Sequence, residues 1–378
     1  MAESAVRLSN MPDPLRVVDQ GLLSYHPERG AYMPTITPLP DGTFIAAQHV
    51  GEGLGSPDNY IEILRSKDGS TWENGRTIHS SGHKISEWSY RAPKISVVPG
   101  GRLVMTASRF EKIDNLFDPD TEELANCEMV LTWSSDGGIS WSDPQVLMVP
   151  LPTSRYSWNG AGSLEQLSPD RWMYPFETWK PIGYAGIPDQ KAAALFSSDQ
   201  GKTWEEYQVV ADDPTGKVLW WDQMNSLLPD GRVYTMFWTH LYGTQDDLNN
   251  HYAVSENQGR TWSEPRPTNL RGQVCTPIPL ADGRVAAIYN YRHDPQGIHV
   301  ALTEDLETFD VENEAVVFDA GKEATLGNPE TENFLATHMK IAFGKPGGTL
   351  LSDGTLMTYY WCTAGGVTHT RWVRLSVQ

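Results

Sequence analysis

Residues 197–204 read Ser197-Ser198-Asp199-Gln200-Gly201-Lys202-Thr203-Trp204, and the same pattern returns at intervals of one supersecondary module. Residues 134–141 (SSDGGISW) repeat it, and residues 255–262 (SENQGRTW) repeat it with Asn257 in the Asp place. Residues 66–72 (SKDGSTW) and 303–309 (TEDLETF) are versions one residue shorter. Hairpin chemistry accounts for the pattern. A Gly supplies positive φ, the Asp or Asn side chain bonds nearby backbone amides, and an aromatic residue lands on the returning strand. Turns of one kind at regular spacing mean a repeat architecture, which has to be settled before any single motif is read.

Working outward, a second turn precedes each of these by one strand pair. It reads Pro40-Asp41-Gly42, Pro99-Gly100-Gly101, Ser168-Pro169-Asp170, Pro229-Asp230-Gly231, Ala281-Asp282-Gly283 and Ser352-Asp353-Gly354. Each separates two apolar, β-rich runs. S-x-D-x-G-x-T-W resembles the Asp box of the sialidase-like β-propellers. That resemblance implies an all-β propeller of four-stranded antiparallel blades. The turns predict six blades in a single domain spanning residues 1–378; a seventh would need the insertion at 323–342, which is too short. The run at 15–23 and the final run at 370–377 lack sequence neighbours, so the ring is expected to close by pairing the two terminal strands in one blade, removing both edges.

Composition agrees with many short strands and a ring-rich interior: 33 Gly, 26 Pro and 14 Trp in 378 residues. The net charge of −19 argues against nucleic acid or an anionic membrane as partner, because both repel it at long range. A few arginines converging in a cleft could still reverse the local field for a small anionic ligand. Cys127, Cys275 and Cys362 are too few and too scattered for a disulfide framework or zinc site. No apolar run reaches membrane-spanning length. A monomer is expected, and a secreted one although no signal segment is seen.

In an antiparallel four-stranded blade the first-to-second and third-to-fourth turns share a side, so both turn types mark the bottom and function belongs on top. That face then carries His49, His83, Tyr90, Arg91, Asn159, Glu177, Trp179, Trp221, Asp222, His240, Gln273, Arg292 and His338. Rings beside amides and carboxylates suit a sugar, whose C–H faces stack on indoles while its hydroxyls need polar partners. An oligo- or polysaccharide containing an anionic sugar is the expected partner.

The sialidase resemblance implies an Arg before Ile-Pro at the start of the first inner strand. Here that place reads Tyr32-Met33-Pro34, while Arg91 precedes Ala92-Pro93 one blade on. The abundance of His on the top points instead to β-elimination beside a uronic acid, with Arg on the carboxylate and His or Tyr moving the proton. This looks like the propeller-type polysaccharide lyases, and within them resembles those acting on rhamnose-glucuronate linkages. The expected roles are His83 and His49 for proton transfer, Arg91 and Arg292 as carboxylate clamps, and Tyr90 as alternative acid or base. Asn159, Trp179, Trp221, Asp222, His240, Gln273 and His338 are expected to bind substrate. The alternatives are a sialidase-like exo-glycoside hydrolase using acids drawn from Asp222, Glu87 and Glu177, or a glycan-binding propeller without chemistry. No cofactor is required by this reading. The acidic loop at 118–123 could hold Ca²⁺ through carboxylate oxygens but lacks EF-hand spacing.

Overall fold

The computed structural model describes residues 14–378 except 74, 79–86, 113–115, 119–122, 161, 205 and 325–341. Strands dominate, and they assemble into sheets in chain order. The first is Gly30–Pro38, Phe44–Gly51, Tyr60–Ser66 and Arg76–Ile78; the second is Trp88–Val98, Arg102–Glu111, Cys127–Ser134 and Gln145–Val146. The fourth runs from Val218–Leu227 to Arg266–Pro267, and the fifth from Cys275–Pro279 to Ala315–Asp319. Phe343–Leu350, Leu356–Ala364 and Val367–Val377 form the last sheet with the N-terminal strand Leu15–Ser24. Its outer pairing, Leu15 opposite Val377 through Ser24 opposite Thr370, ties the two ends of the chain together as expected.

The expectation of six uniform four-stranded blades needs correction: five sheets have four strands, and the third has seven. Its inner strand is broken into Ser157–Gly160 and Glu165–Ser168, both paired to Arg171–Pro181, and a short hairpin of Phe117–Asp118 and Glu123–Leu124 adds to the far end of that strand. At the end of the first piece a Cβ on Gly160 would fall 2.0 Å from the Tyr174 hydroxyl. No sheet closes on itself; the inner strands touch from first to second and from third on to the last, which returns to the first, and Gln166 of the third donates to the Val97 carbonyl of the second at 2.7 Å.

The core lies in the junctions. Ile45, Ala47, Leu103 and Met105 pack between the first two blades, and Leu131, Trp172, Phe176 and Leu195 between the second and third. Each Asp box wedges into such a junction. Gly201 has φ +84° and abuts Trp172 of its own sheet and Trp133 of the preceding one. Asp199 accepts from the Lys202 and Thr203 amides at 3.0 and 2.9 Å, and Trp204 Nε1 donates to the Gly201 carbonyl at 3.1 Å. Arg171, beside the first turn of the third sheet, donates to Gln258 O in the box of the fourth at 2.7 Å, so both turn types do share one face.

At the opposite end of the inner strands the backbone does something the turns do not announce. The first, second, fourth and last inner strands each carry one extra residue relative to their neighbours. The bulged residues are Met33, Ala92, Asp222 and Lys345, all non-glycine and all left-handed, with φ of 48°, 49°, 50° and 43°. Proline follows three of them, and its missing amide removes the ladder bond that would flatten the bulge. Left-handed conformation costs such residues about 1–2 kcal/mol each, and strain of this kind concentrates where side chains must be aimed.

Candidate functional site

All four bulged residues line one cleft of about 100 Å³, together with Arg91, Asn159, Glu177, Trp179, Trp221 and Trp238. Leu54 of the first blade, and Phe117 and Leu124 of the added hairpin, complete its rim.

Its charged centre is built from three blades. Asp222 is ion-paired to Lys345, brought from the last blade. The Asp222 amide donates to Glu177 Oε2 at 2.5 Å, while Glu177 Oε1 accepts from Trp179 Nε1 at 2.9 Å and from Asn159 Nδ2 at 3.5 Å. Glu177 is buried, and burial first, then the neighbouring Asp222 charge, push its carboxyl up to about 7. Lys94, two residues beyond the second bulge, lies beneath: burial, with help from the Lys345 charge, brings its ammonium down to about 7. Its Nζ sits 5.9 Å over the Tyr359 ring. Arg91 carries a buried Nε with no hydrogen-bond partner among the described residues.

One wall is a stack. Trp221 lies between Trp179 (5.2 Å, 6°) and His240 (5.0 Å, 10°), with Trp238 edge-on at 4.9 Å. Trp221 itself is buried, whereas Trp179 is half-buried and also meets the Phe117 ring at 5.8 Å and 84°. Behind the stack, Asp247 accepts from Trp238 Nε1 at 2.6 Å and Gln273 Nε2 at 2.9 Å, and pairs with His240 Nδ1 at 2.9 Å. Gln273 Oε1 in turn accepts from Arg292 Nε at 3.3 Å.

Several expected roles change on this geometry. Arg91, Asn159, Trp179, Trp221 and Asp222 do converge on the cleft, with Glu177 from the alternative set. His49 is not among the residues that line the cleft. It is fully buried, stacked on Tyr32 at 5.3 Å, and bonded at both nitrogens, to Leu54 O at 3.3 Å and the Ala92 amide at 3.4 Å. Burial and the Arg91 charge hold it down to about 3, so it is a neutral brace for the second bulge. Tyr90 is buried and turned to Arg109. Arg292 donates to the Phe343 carbonyl as well as to Gln273 and lies 3.7 Å over the Phe343 ring, so its guanidinium ties the last blade to the layer behind the cleft. His240 and Gln273 form the layer behind the cleft. His83 and His338 lie outside the described residues, as do residues 119–122 of the acidic loop. Glu123 of that loop is ion-paired to Lys180 at 3.1 Å. Among the described residues no cluster of three His, Cys, Asp or Glu side chains is arranged to hold a metal.

Lys94, Lys345 and Asp247 were not anticipated. Lys345 had a legible signal, since Gly344-Lys345-Pro346 repeats the pre-proline placement of Met33 and Ala92. Asp247 had none, sitting in a polar stretch that reads as a solvated loop.

The fold has relatives. A sialidase of Paraclostridium sordellii is 23% identical over 258 residues, which is 65% of this chain and 59% of that protein. A protein of unknown function from Dyadobacter fermentans superposes with a TM-score of 0.75 at 20% identity, over 97% of this chain and all of the other. An α-L-arabinanase of Penicillium chrysogenum, solved with arabinobiose, superposes with a TM-score of 0.64 at 16% identity over 96% and 99% of the two chains. The BNR repeat-like domain model matches residues 42–330. With its Asp boxes in the sheet junctions and most of its length covered by that match, the chain belongs to the BNR repeat-like domain family.

Proposed function

We propose that the protein is an exo-acting glycoside hydrolase that removes a terminal anionic sugar from a glycan. The observation that carries this reading is the pairing of Glu177 and Asp222 in one cleft with opposed surroundings, one buried among neutral donors and the other held by Lys345. Two carboxyls whose environments differ in this way can divide acid and base work between them. Glu177, protonated near neutrality, supplies the proton to the departing glycosidic oxygen. Asp222 serves as the carboxylate that attacks the anomeric carbon or activates the water that replaces the leaving group. Trp179 stands on the cleft wall beside the sugar, and Arg91, which also lines the cleft, supplies positive charge toward a sugar carboxylate.

This replaces the lyase reading, whose proton carrier was to be His83 or His49. The relatives with named activities are a sialidase and an arabinanase, both sugar-cleaving, and His49 is held neutral at both nitrogens. The test is a panel of fluorogenic glycosides of sialic acid, glucuronic acid and arabinofuranose, read together with reducing ends and ultraviolet absorbance on polymers. Release of the fluorophore from an anionic glycoside, with reducing ends and no new absorbance, is the expected result. Appearance of a conjugated double bond, or no cleavage of any glycoside, overturns it.

A further inference from the structure

A larger groove of about 750 Å³ lies outside the cleft, between the second and third sheets. One layer of backbone separates the two. In Ser157–Gly160, Asn159 lines the cleft and Trp158 the groove; after the added hairpin, Leu124 lines the cleft, and Ala125 and Asn126 the groove.

The groove carries three aromatic side chains, Trp88, Trp158 and Tyr184, each only partly buried. The Trp88 ring is covered by the Arg109 guanidinium at 4.3 Å, and Arg109 is ion-paired to Glu128 at 2.6 Å. Tyr184 is laid over Gly186, where a Cβ would come within 2.4 Å of its ring. The loop bearing it is pinned to the hairpin, because the Gly183 amide donates to Glu123 Oε2 at 2.8 Å. Polar groups stand among the rings: the exposed Glu111 carboxylate and Asn126 amide, beside Glu128. At the lips Met148 and Ile182 are 74% and 52% exposed.

We propose that this groove is a second carbohydrate-binding site, for a neutral glycan chain. Ring faces suit the C–H faces of sugars, and carboxylate and amide groups between them accept and donate to hydroxyls. Charge separates it from the cleft: Arg109 is already paired to Glu128, and among the described residues that line the groove the remaining charged side chain is the exposed Glu111, which disfavours an anionic sugar. Its shared wall with the cleft suits a polymer one part of which is being cut while another is held, and such divalent capture raises retention beyond either site alone.

The test is affinity electrophoresis of the intact protein in gels containing soluble arabinan or galactan, with polygalacturonate as the anionic comparison. The readout is retention, independent of turnover, so a protein that cleaves nothing can still satisfy or fail it. The wild type is expected to be slowed by a neutral polymer more than by polygalacturonate. Tyr184→Ala, in an exposed loop, and Trp158→Ala are expected to lose at least five-fold in apparent affinity, while Asp222→Asn keeps most of the retention. Equal slowing of Tyr184→Ala and wild type, or no slowing in either neutral polymer, overturns the proposal. So does retention that disappears with Asp222→Asn alone, which would place all binding in the cleft.

Discussion

The backbone amide of Asp222 points at a carboxylate oxygen of Glu177 across 2.5 Å, tying the inner strand of the fourth sheet to the second strand of the third. That contact holds the Glu177 carboxylate against the main chain that carries Asp222. Asp222 is the left-handed bulge residue of its strand.

If these acids carry the chemistry, Glu177→Gln and Asp222→Asn should each lower kcat/KM on a cleaved glycoside by about 100-fold or more. Both substitutions keep size and shape. Melting curves within a few degrees of wild type, measured beside the kinetics, would show that the loss is chemical. Near-normal turnover in both variants would remove the pair from the mechanism.

Glu177 also makes a stability prediction with a definite sign. Its folded carboxyl titrates at about 7 against an unfolded value near ~4.3, so between those values the folded state holds the extra proton. Its contribution is therefore most favourable below about 4.3 and is lost as pH rises through 7. Thermal melts should show Glu177→Gln gaining on wild type by several degrees between pH 4.5 and pH 8. A constant gap would place the carboxyl in the ordinary range.

Lys94 runs the other way. Burial holds its folded ammonium at about 7, well below the ~10.4 of an unfolded chain, so the unfolded state holds the extra proton between those values. The penalty is complete below 7 and gone above about 10.4. Lys94→Met should therefore be stabilising at pH 6 and lose that advantage by pH 10, as followed by thermal melts. A Met variant with the same relative stability at both values would contradict the burial argument.

The Asp box can be tested where it packs. Gly201→Ala places a Cβ at 3.0 Å from Trp172 Cζ3 in a residue with φ +84°. Strain and crowding together should cost about 2 kcal/mol, lowering Tm by a few degrees. Unchanged Tm would mean that the junction between the second and third sheets tolerates a shift there.

The architecture was legible because each Asp box carries its own turn chemistry within eight residues, and local chemistry is what a sequence displays most directly. The broken inner strand and added hairpin of the third sheet were not legible, since both depend on pairing with Arg171–Pro181 that no local pattern displays. The site was legible in part. Arg91, Trp179, Asp222 and Glu177 stand where strand counting puts the top of each blade. The histidines misled for a physical reason: a strand position near the rim fixes height and not burial, and His49 and His240 point into packed rings. Lys345 escaped notice because its meaning depends on Asp222, 123 residues earlier, and only the ring brings them together.

The four left-handed bulges have a consequence for how such a protein changes over time. Main-chain geometry sets the aim at Met33, Ala92, Asp222 and Lys345, so the frame that presents these side chains is the same at all four. A thioether, a methyl group, an acid and an amine already occupy these equivalent posts in a single molecule. At Met33 and Ala92 a replacement changes only what faces the cleft, whereas Asp222 and Lys345 hold each other, so a change at either has to be answered at the other.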